Sequence, residues 1–254
     1  MLRSEGDRLK KVVVCTPRKE YFRVQELPSH NINEVASPER TLEQHDRLKS
    51  LMAQSGAEVI DVDELAGHPN SVFTRDTAVT TLEGFIELHM GLESRRGEDQ
   101  WMSEILRSLH EPCLGRIAGP GSVEGGDILL AGEIAFVGHS CRTNADGVEQ
   151  IQVLLEKVGY EVRVAEVQGS LHLGGVMSLV SPERILCTED IYTESLFRGF
   201  ETLVVPRSGP STGNVICLGP DAVIANSAEN QEAMERLDAA GVTVHGVDLS
   251  EFRK

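Results

Sequence analysis

Apolar residues recur every three or four positions in four stretches of the chain, with short apolar runs between them. "ERTLEQHDRLKSLMAQSG" places Leu42, His45, Leu48 and Met52 on one helical stripe and stops at Gly56. "ESRRGEDQWMSEILRSLH" aligns Trp101, Ile105 and Leu109. "NADGVEQIQVLLEKVG" aligns Val148, Ile151, Leu155 and Val158, with Asn144 as N-cap and Gly159 past the end. "ENQEAMERLDAAG" is a shorter fourth helix. The intervening runs are "TAVTTLEGFIELHM", "DILLAGEIAFVGHS", "VMSLVSPERILCTE" and "NVICLGPDAVIANS". Each reads as two strands turning at Glu83-Gly84, Gly132-Glu133, Pro182-Glu183 or Pro220-Asp221. Single strands follow three of the helices, "AEVIDVD", "YEVRVAEV" and "VTVHGVDL", and "GRIAGPG" follows the second more loosely.

The chain therefore repeats hairpin, helix and strand with a period of roughly 40–50 residues. One such unit cannot bury both faces of its sheet, but several around an axis would close a ring with helices outside. No Pro/Ser-rich linker or composition break divides the 254 residues, so residues 1–254 are expected to form a single domain.

Composition narrows the function. A formal net charge of −16 argues against a nucleic-acid partner, which needs a cationic face, and would favour a small cationic substrate. The five cysteines are scattered without a C-x-x-C pair, as expected of a reducing cytoplasm rather than a disulfide framework. The lone His/Cys pair in "HEPC" is too little for a metal site, and no apolar run approaches a membrane span. The expectation is a cytoplasmic protein with no metal, no cofactor, no nucleic-acid partner and no membrane partner.

Four stretches could carry chemistry. "NSVFTRDTAV" puts Arg75 and Asp76 directly before a strand, where Asp76 would equally serve to brace a turn. In "PGSVEGGDILL", Glu124 and Asp127 flank a Gly-Gly that permits close backbone approach. It lacks the spacing, lysine and following helix of a phosphate loop. In "LHLGGVMSL", His172 sits in apolar company, a setting that also suits a satisfied core histidine. Arg95 and Arg142 each sit at a helix start, an unfavourable place for a cation unless it faces an anion. In a ring these places converge. Carboxylates suit a planar guanidinium and arginines an α-carboxylate, so the implied ligand is arginine or a close relative.

Together "FTRD", "SRRGE", "EGGD", "RTNADG", "LHLGG" and the closing "DLSEFRK" resemble the guanidine-modifying enzymes of the pentein superfamily. The resemblance covers nearly the whole chain and is nearest to dimethylarginine dimethylaminohydrolases and arginine deiminases. It implies a five-bladed α/β propeller with pseudo-fivefold symmetry. It also implies hydrolysis of a guanidino C–N bond through a cysteine amidino-thioether. His172 would be the acid/base and Glu124 the carboxylate orienting it. Asp76, with Asn70 and Asp127, would bind substrate, and Arg95 and Arg142 its carboxylate. Arg75 stands where dimethylarginine hydrolases usually carry an acid, and Gly174 replaces the aspartate of arginine deiminases. In relatives a nucleophilic cysteine follows "SEFRK" within about ten residues, so the nucleophile here is expected beyond Lys254, in a short tail. An arginine deiminase, an amidinotransferase and a non-catalytic binding member remain the alternatives, and a homodimer remains open. The irregular "KEYFRVQELPSHNINEVAS" would be a lid over the site.

Overall fold

The computed structural model describes residues 3–254. They form five small sheets, each with a helix or a turn segment at the same place in its connectivity. In the first, β1 (Lys11–Cys15) and β2 (Glu58–Val62) run parallel, joined through α1 (Pro38–Gln54). The second has β3 (Ala78–Thr80) antiparallel to β4 (Phe85–Glu87), then α2 (Glu98–Ser108), then β5 (Cys113–Arg116) parallel to β4. The third repeats this with β6 (Ile128–Ala131), β7 (Ile134–His139), α3 (Ala145–Lys157) and β8 (Glu161–Glu166). The fourth has β9 (Met177–Ser181), β10 (Arg184–Thr188) and β11 (Glu201–Val205), and the fifth β12 (Val215–Gly219), β13 (Ala222–Asn226), α4 (Gln231–Ala239) and β14 (Thr243–Val247).

The hairpins turn where the sequence predicts, and Gly84, Gly132 and Asp221 supply the positive φ those turns need. The last strand of each three-stranded sheet is its most exposed. β6 is buried throughout, whereas in β8 only Ala165 is fully buried. The apolar interior follows the first and middle strands and the turns that lead into them, with Ile128, Leu130, Phe136, Leu173 and Met177 all at 0 % exposure. Each such side chain contributes roughly 1.5–3 kcal/mol relative to exposure.

Three readings need correction. Leu42 is exposed, and Thr41, His45 and Met52 form the buried stripe of α1 instead. The strand after α2 starts at Cys113, ahead of "GRIAGPG", because it pairs with β4 in parallel register. The fourth unit has no helix, and β11 was not anticipated. Residues 191–200 cover that sheet with aromatic rings, Phe197 and Phe200 packing 5.9 and 5.6 Å from Phe136. An aromatic cover has no 3.6-residue period to read. No helix among the described residues is long and apolar enough to cross a membrane.

Candidate active site

Three single-turn 3₁₀ segments precede the first strands of consecutive hairpins: Thr74–Asp76 before β3, Gly125–Asp127 before β6 and Leu173–Gly175 before β9. They pack against one another, and that brings Asp76, Glu124, Asp127 and His172 together from positions nearly a hundred residues apart. Gly126 makes the approach possible. A Cβ there would stand 2.7 Å from His172 Cγ and 2.9 Å from Asp76 Oδ1, closer than van der Waals contact allows.

His172 is held at one ring nitrogen and faces two carboxylates with the other. Its Nδ1 lies 3.3 Å from Asp127 Oδ2. Its Nε2 lies 3.4 Å from Glu124 Oε2 and 3.7 Å from Asp76 Oδ1. Asp127 is saturated by protein donors, Leu173 N (2.8 Å) on Oδ1 and the hydroxyls of Ser140 and Thr143 (both 2.7 Å) on Oδ2. Asp127 thus braces the imidazole while its oxygens are engaged by protein donors.

Glu124 is fully buried. Its Oε1 accepts the backbone N–H groups of Gly91 (3.1 Å) and Leu92 (3.2 Å) and lies 3.5 Å from Arg142 Nη1. Among the described residues its Oε2 accepts no hydrogen bond, with His172 Nε2 and Arg95 Nη1 near it only at ion-pair distances of 3.4 and 3.7 Å. An unsatisfied buried carboxylate oxygen is costly, so this atom marks a place for an incoming N–H.

Arg95 precedes α2 in a separate 3₁₀ turn, Glu93–Arg95, and is 4 % exposed. Its Nε donates to Glu98 Oε2 (2.8 Å) and its Nη1 to Asp76 Oδ2 (2.6 Å). Its Nη2 donates to the carbonyls of Asn70 (3.3 Å) and Phe73 (3.2 Å). The arginine read as half of a carboxylate clamp is thus engaged by protein acceptors and holds Asp76. Arg142 is the freer of the two, with the single long contact to Glu124 as its side-chain hydrogen bond among the described residues. Asn70 uses its amide to hold His30 O (2.8 Å), and Ser94 Oγ holds Ser29 O (2.8 Å). The irregular segment is therefore latched at Leu27–His30 against the residues that carry Arg95.

Charge balance sets the site's chemistry. Asp76, Glu98, Glu124 and Asp127 are all buried, against two arginines and one imidazole. Burial works against the charge on His172, but Asp76, Asp127 and Glu124 outweigh it and hold its pKa above the ordinary value. Burial likewise opposes ionisation of Asp76, and His172 and Arg95 overcome it, lowering that pKa. Glu124 goes the other way, raised by burial and by the like charge of Asp76. One oxygen each of Asp76 and Glu124 and a ring nitrogen of His172 lie within 4.8 Å of one another, cation-binding spacing. Arg95 Nη1 already lies against both carboxylates, so the set accepts planar N–H donors.

Sequence reading named His172, Glu124, Asp76, Asp127, Asn70, Arg95 and Arg142, and the fold gathers all seven around one site. It missed Ser140 and Thr143, whose place in "HSCRTN" beside Arg142 was the only hint, and it missed Glu98, inside the quoted "SRRGE".

A family model described as arginine deiminase matches residues 30–203. A dimethylarginine dimethylaminohydrolase of Streptomyces coelicolor is 31% identical over 231 residues, covering 90% of this chain and 86% of that one. That of Pseudomonas aeruginosa is 28% identical over 215 residues, covering 85% and 84%. A solved structure of a cysteine-to-serine variant of the Pseudomonas aeruginosa enzyme with citrulline superposes with a TM-score of 0.84 at 27% identity. It covers 97% of this chain and 95% of that one.

Proposed function

The chain belongs to the arginine deiminase family, and from that premise we propose that it hydrolyses a guanidino C–N bond of an N-substituted arginine, as a dimethylarginine dimethylaminohydrolase does. The observation that carries this is the orphan Oε2 of Glu124, buried beside Asp76 and His172 in a pocket with surplus negative charge. A guanidinium supplies both the missing N–H and the missing positive charge.

In this reading the guanidinium lies against Asp76 and Glu124, and Arg142 binds the α-carboxylate. A cysteine thiolate attacks the guanidinium carbon. As the C–N bond breaks, His172 gives its proton to the departing amine and leaves an amidino-thioether. His172 then takes a proton from water, which adds to the same carbon; loss of the thiolate completes citrulline. Asp127 keeps Nδ1 protonated, so Nε2 does the proton transfer. The raised pKa of His172 favours the acid form needed first.

The thiolate is assigned to a tail beyond Lys254. Cys15 and Cys187 are pushed up to about 12 and Cys217 to about 11, in each case chiefly by burial, which suits core thiols rather than nucleophiles. The end of the described chain supports that assignment. Lys254 O accepts the N–H groups of Asn33 and Glu34, and Phe252 packs 6.4 Å from Phe73, the residue before the Asp76 turn. The reading also takes the five sheets as blades of one pseudo-fivefold α/β propeller, a single domain, supported by the inside-to-outside burial gradient. It places the enzyme in the cytoplasm, where a thiolate stays reduced.

The test is product analysis of the natural-length protein with asymmetric dimethylarginine and with arginine. Citrulline plus dimethylamine from the first is the expected result. Ammonia from arginine in its place would make the chain a deiminase. Turnover that needs an added amine acceptor would make it an amidinotransferase.

A further inference from the structure

Glu98 is a buried ionisable group beside the site that the reaction does not use. It is the first residue of α2, where the N-terminal end of the helix dipole favours a carboxylate, and it is 0 % exposed. The preceding Gly97, at φ +104°, lets the chain turn from the Glu93–Arg95 segment into the helix so that Glu98 doubles back on Arg95. Its Oε2 accepts from Arg95 Nε at 2.8 Å and lies within ion-pair distance of Nη2, also 2.8 Å away. Among the described residues its Oε1 has no hydrogen-bond partner.

His68 Nδ1 lies 3.7 Å from that oxygen and is itself buried and without a hydrogen-bond partner among the described residues. Two buried orphan polar atoms face each other across less than an ångström beyond hydrogen-bond range. A small rotation of either side chain satisfies both, and leaving both unsatisfied is the costly alternative. His68 lies directly ahead of the Pro69–Val72 turn that carries Asn70, so the pair also joins the two segments on either side of Arg95.

We propose that His68 and Glu98 are positioning residues, with His68 Nδ1 donating to Glu98 Oε1, Glu98 fixing Arg95, and Arg95 fixing Asp76 as the guanidinium seat. The inference rests on the reading of Asp76 as that seat. Glu98 also supplies the charge that keeps Arg95 from neutralising the pocket. Without it the positive field of Arg95 falls undiminished on Asp76, Glu124 and His172, with Arg142 adding to it.

Glu98→Gln keeps the shape and removes the charge. Two readouts are needed, and one does not depend on turnover. By NMR, the titration of the His172 imidazole shifts to lower pH in Glu98→Gln, because a negative charge that supported the imidazolium has gone. In turnover of dimethylarginine, kcat/KM falls about tenfold, equivalent to about 1.4 kcal/mol, chiefly through KM. His68→Leu, which leaves Oε1 without a donor, moves both in the same direction by less, and His68→Gln, which retains an N–H, restores them. An unmoved His172 titration with unchanged KM in a folded Glu98→Gln protein would overturn the proposal and reduce the pair to packing. An NMR shift in a protein with no turnover at all would uphold the relay and sink the assigned reaction instead.

Discussion

Two clusters in this molecule hold the same kinds of group and differ in how fully those groups are satisfied. The first is the site around His172. The second lies between α1 and the first sheet and comprises Thr16, His45, Lys49 and Asp61. There Asp61 Oδ1 accepts Thr16 N (3.0 Å), and Oδ2 accepts Thr16 Oγ1 (2.5 Å) and Lys49 Nζ (3.0 Å). Lys49 also donates to Thr16 Oγ1 at 2.8 Å and pairs with Asp46 at 3.0 Å. Each charged group lies in at least one salt bridge, Arg18 joining Lys49 at Asp61 from 3.9 Å. Burial and the neighbouring Lys49 push His45 down to about 4, so it stays neutral near pH 7. In the site, by contrast, negative charge is in surplus, Glu124 Oε2 accepts no hydrogen bond from the described residues, and the histidine is pushed up. A satisfied cluster holds a structure together, and an unsatisfied one awaits a ligand.

The largest test of this contrast exchanges the two histidines. His172→Ala should lower kcat by at least about 10³-fold with an intact fold by circular dichroism, in the range expected for losing an acid/base. His45→Ala should leave kcat within about twofold. Equal losses in the two would erase the distinction.

Arg142→Ala should raise KM for dimethylarginine by about tenfold or more, since a charge-assisted contact to the carboxylate is lost. A substrate lacking that carboxylate, such as agmatine, should lose little. Equal losses for both would remove Arg142 from carboxylate recognition.

In the satisfied cluster the effect should fall on stability. Asp61→Ala leaves Thr16 and Lys49 without their acceptor and should cost about 1–3 kcal/mol in urea unfolding, with kcat unchanged. A large drop in kcat at unchanged stability would mean that this cluster reaches the site.

The pH dependences should also oppose each other. His172 has a raised folded pKa, so its contribution to stability is fully present below the ordinary value of 6.5 and is lost as pH rises through the raised one. His45 has a lowered one, so its contribution is present above 6.5 and is lost as pH falls toward about 4. NMR titration of the two imidazoles reads both directions, and midpoints in the reverse order would refute the electrostatic account.

The smallest expected effect is at Cys141, the exposed cysteine next to Arg142, whose Sγ lies 3.8 Å from Leu171 O. Cys141→Ala should leave turnover within about twofold, because the nucleophile is assigned elsewhere. Complete loss would move the nucleophile to this residue.

Much of the molecule could be read from the chain alone. Apolar spacing located all four helices, and the paired runs located four hairpins with their turns, because helix and strand periods are local properties. Asn144 was legible as an N-cap, and its side chain does accept from Gly147 N at 2.8 Å. Residue chemistry at the hairpin entrances also picked out Asp76, Glu124 and His172. β11 and the helix-free fourth unit were not legible, because rings on Phe197 and Phe200 pack against Phe136 more than sixty residues away.

Only the tertiary structure decided which of the polar groups are free. Asp127, Arg95 and Asn70 look like ligand-binding residues in the chain, yet each finds protein partners between 22 and 46 positions distant, His30 O, Phe73 O and Leu173 N among them. Glu124 looks no different, yet its Oε2 finds none. Sequence fixes what each side chain can donate or accept. Whether a partner arrives depends on contacts between distant segments, and no local periodicity encodes those.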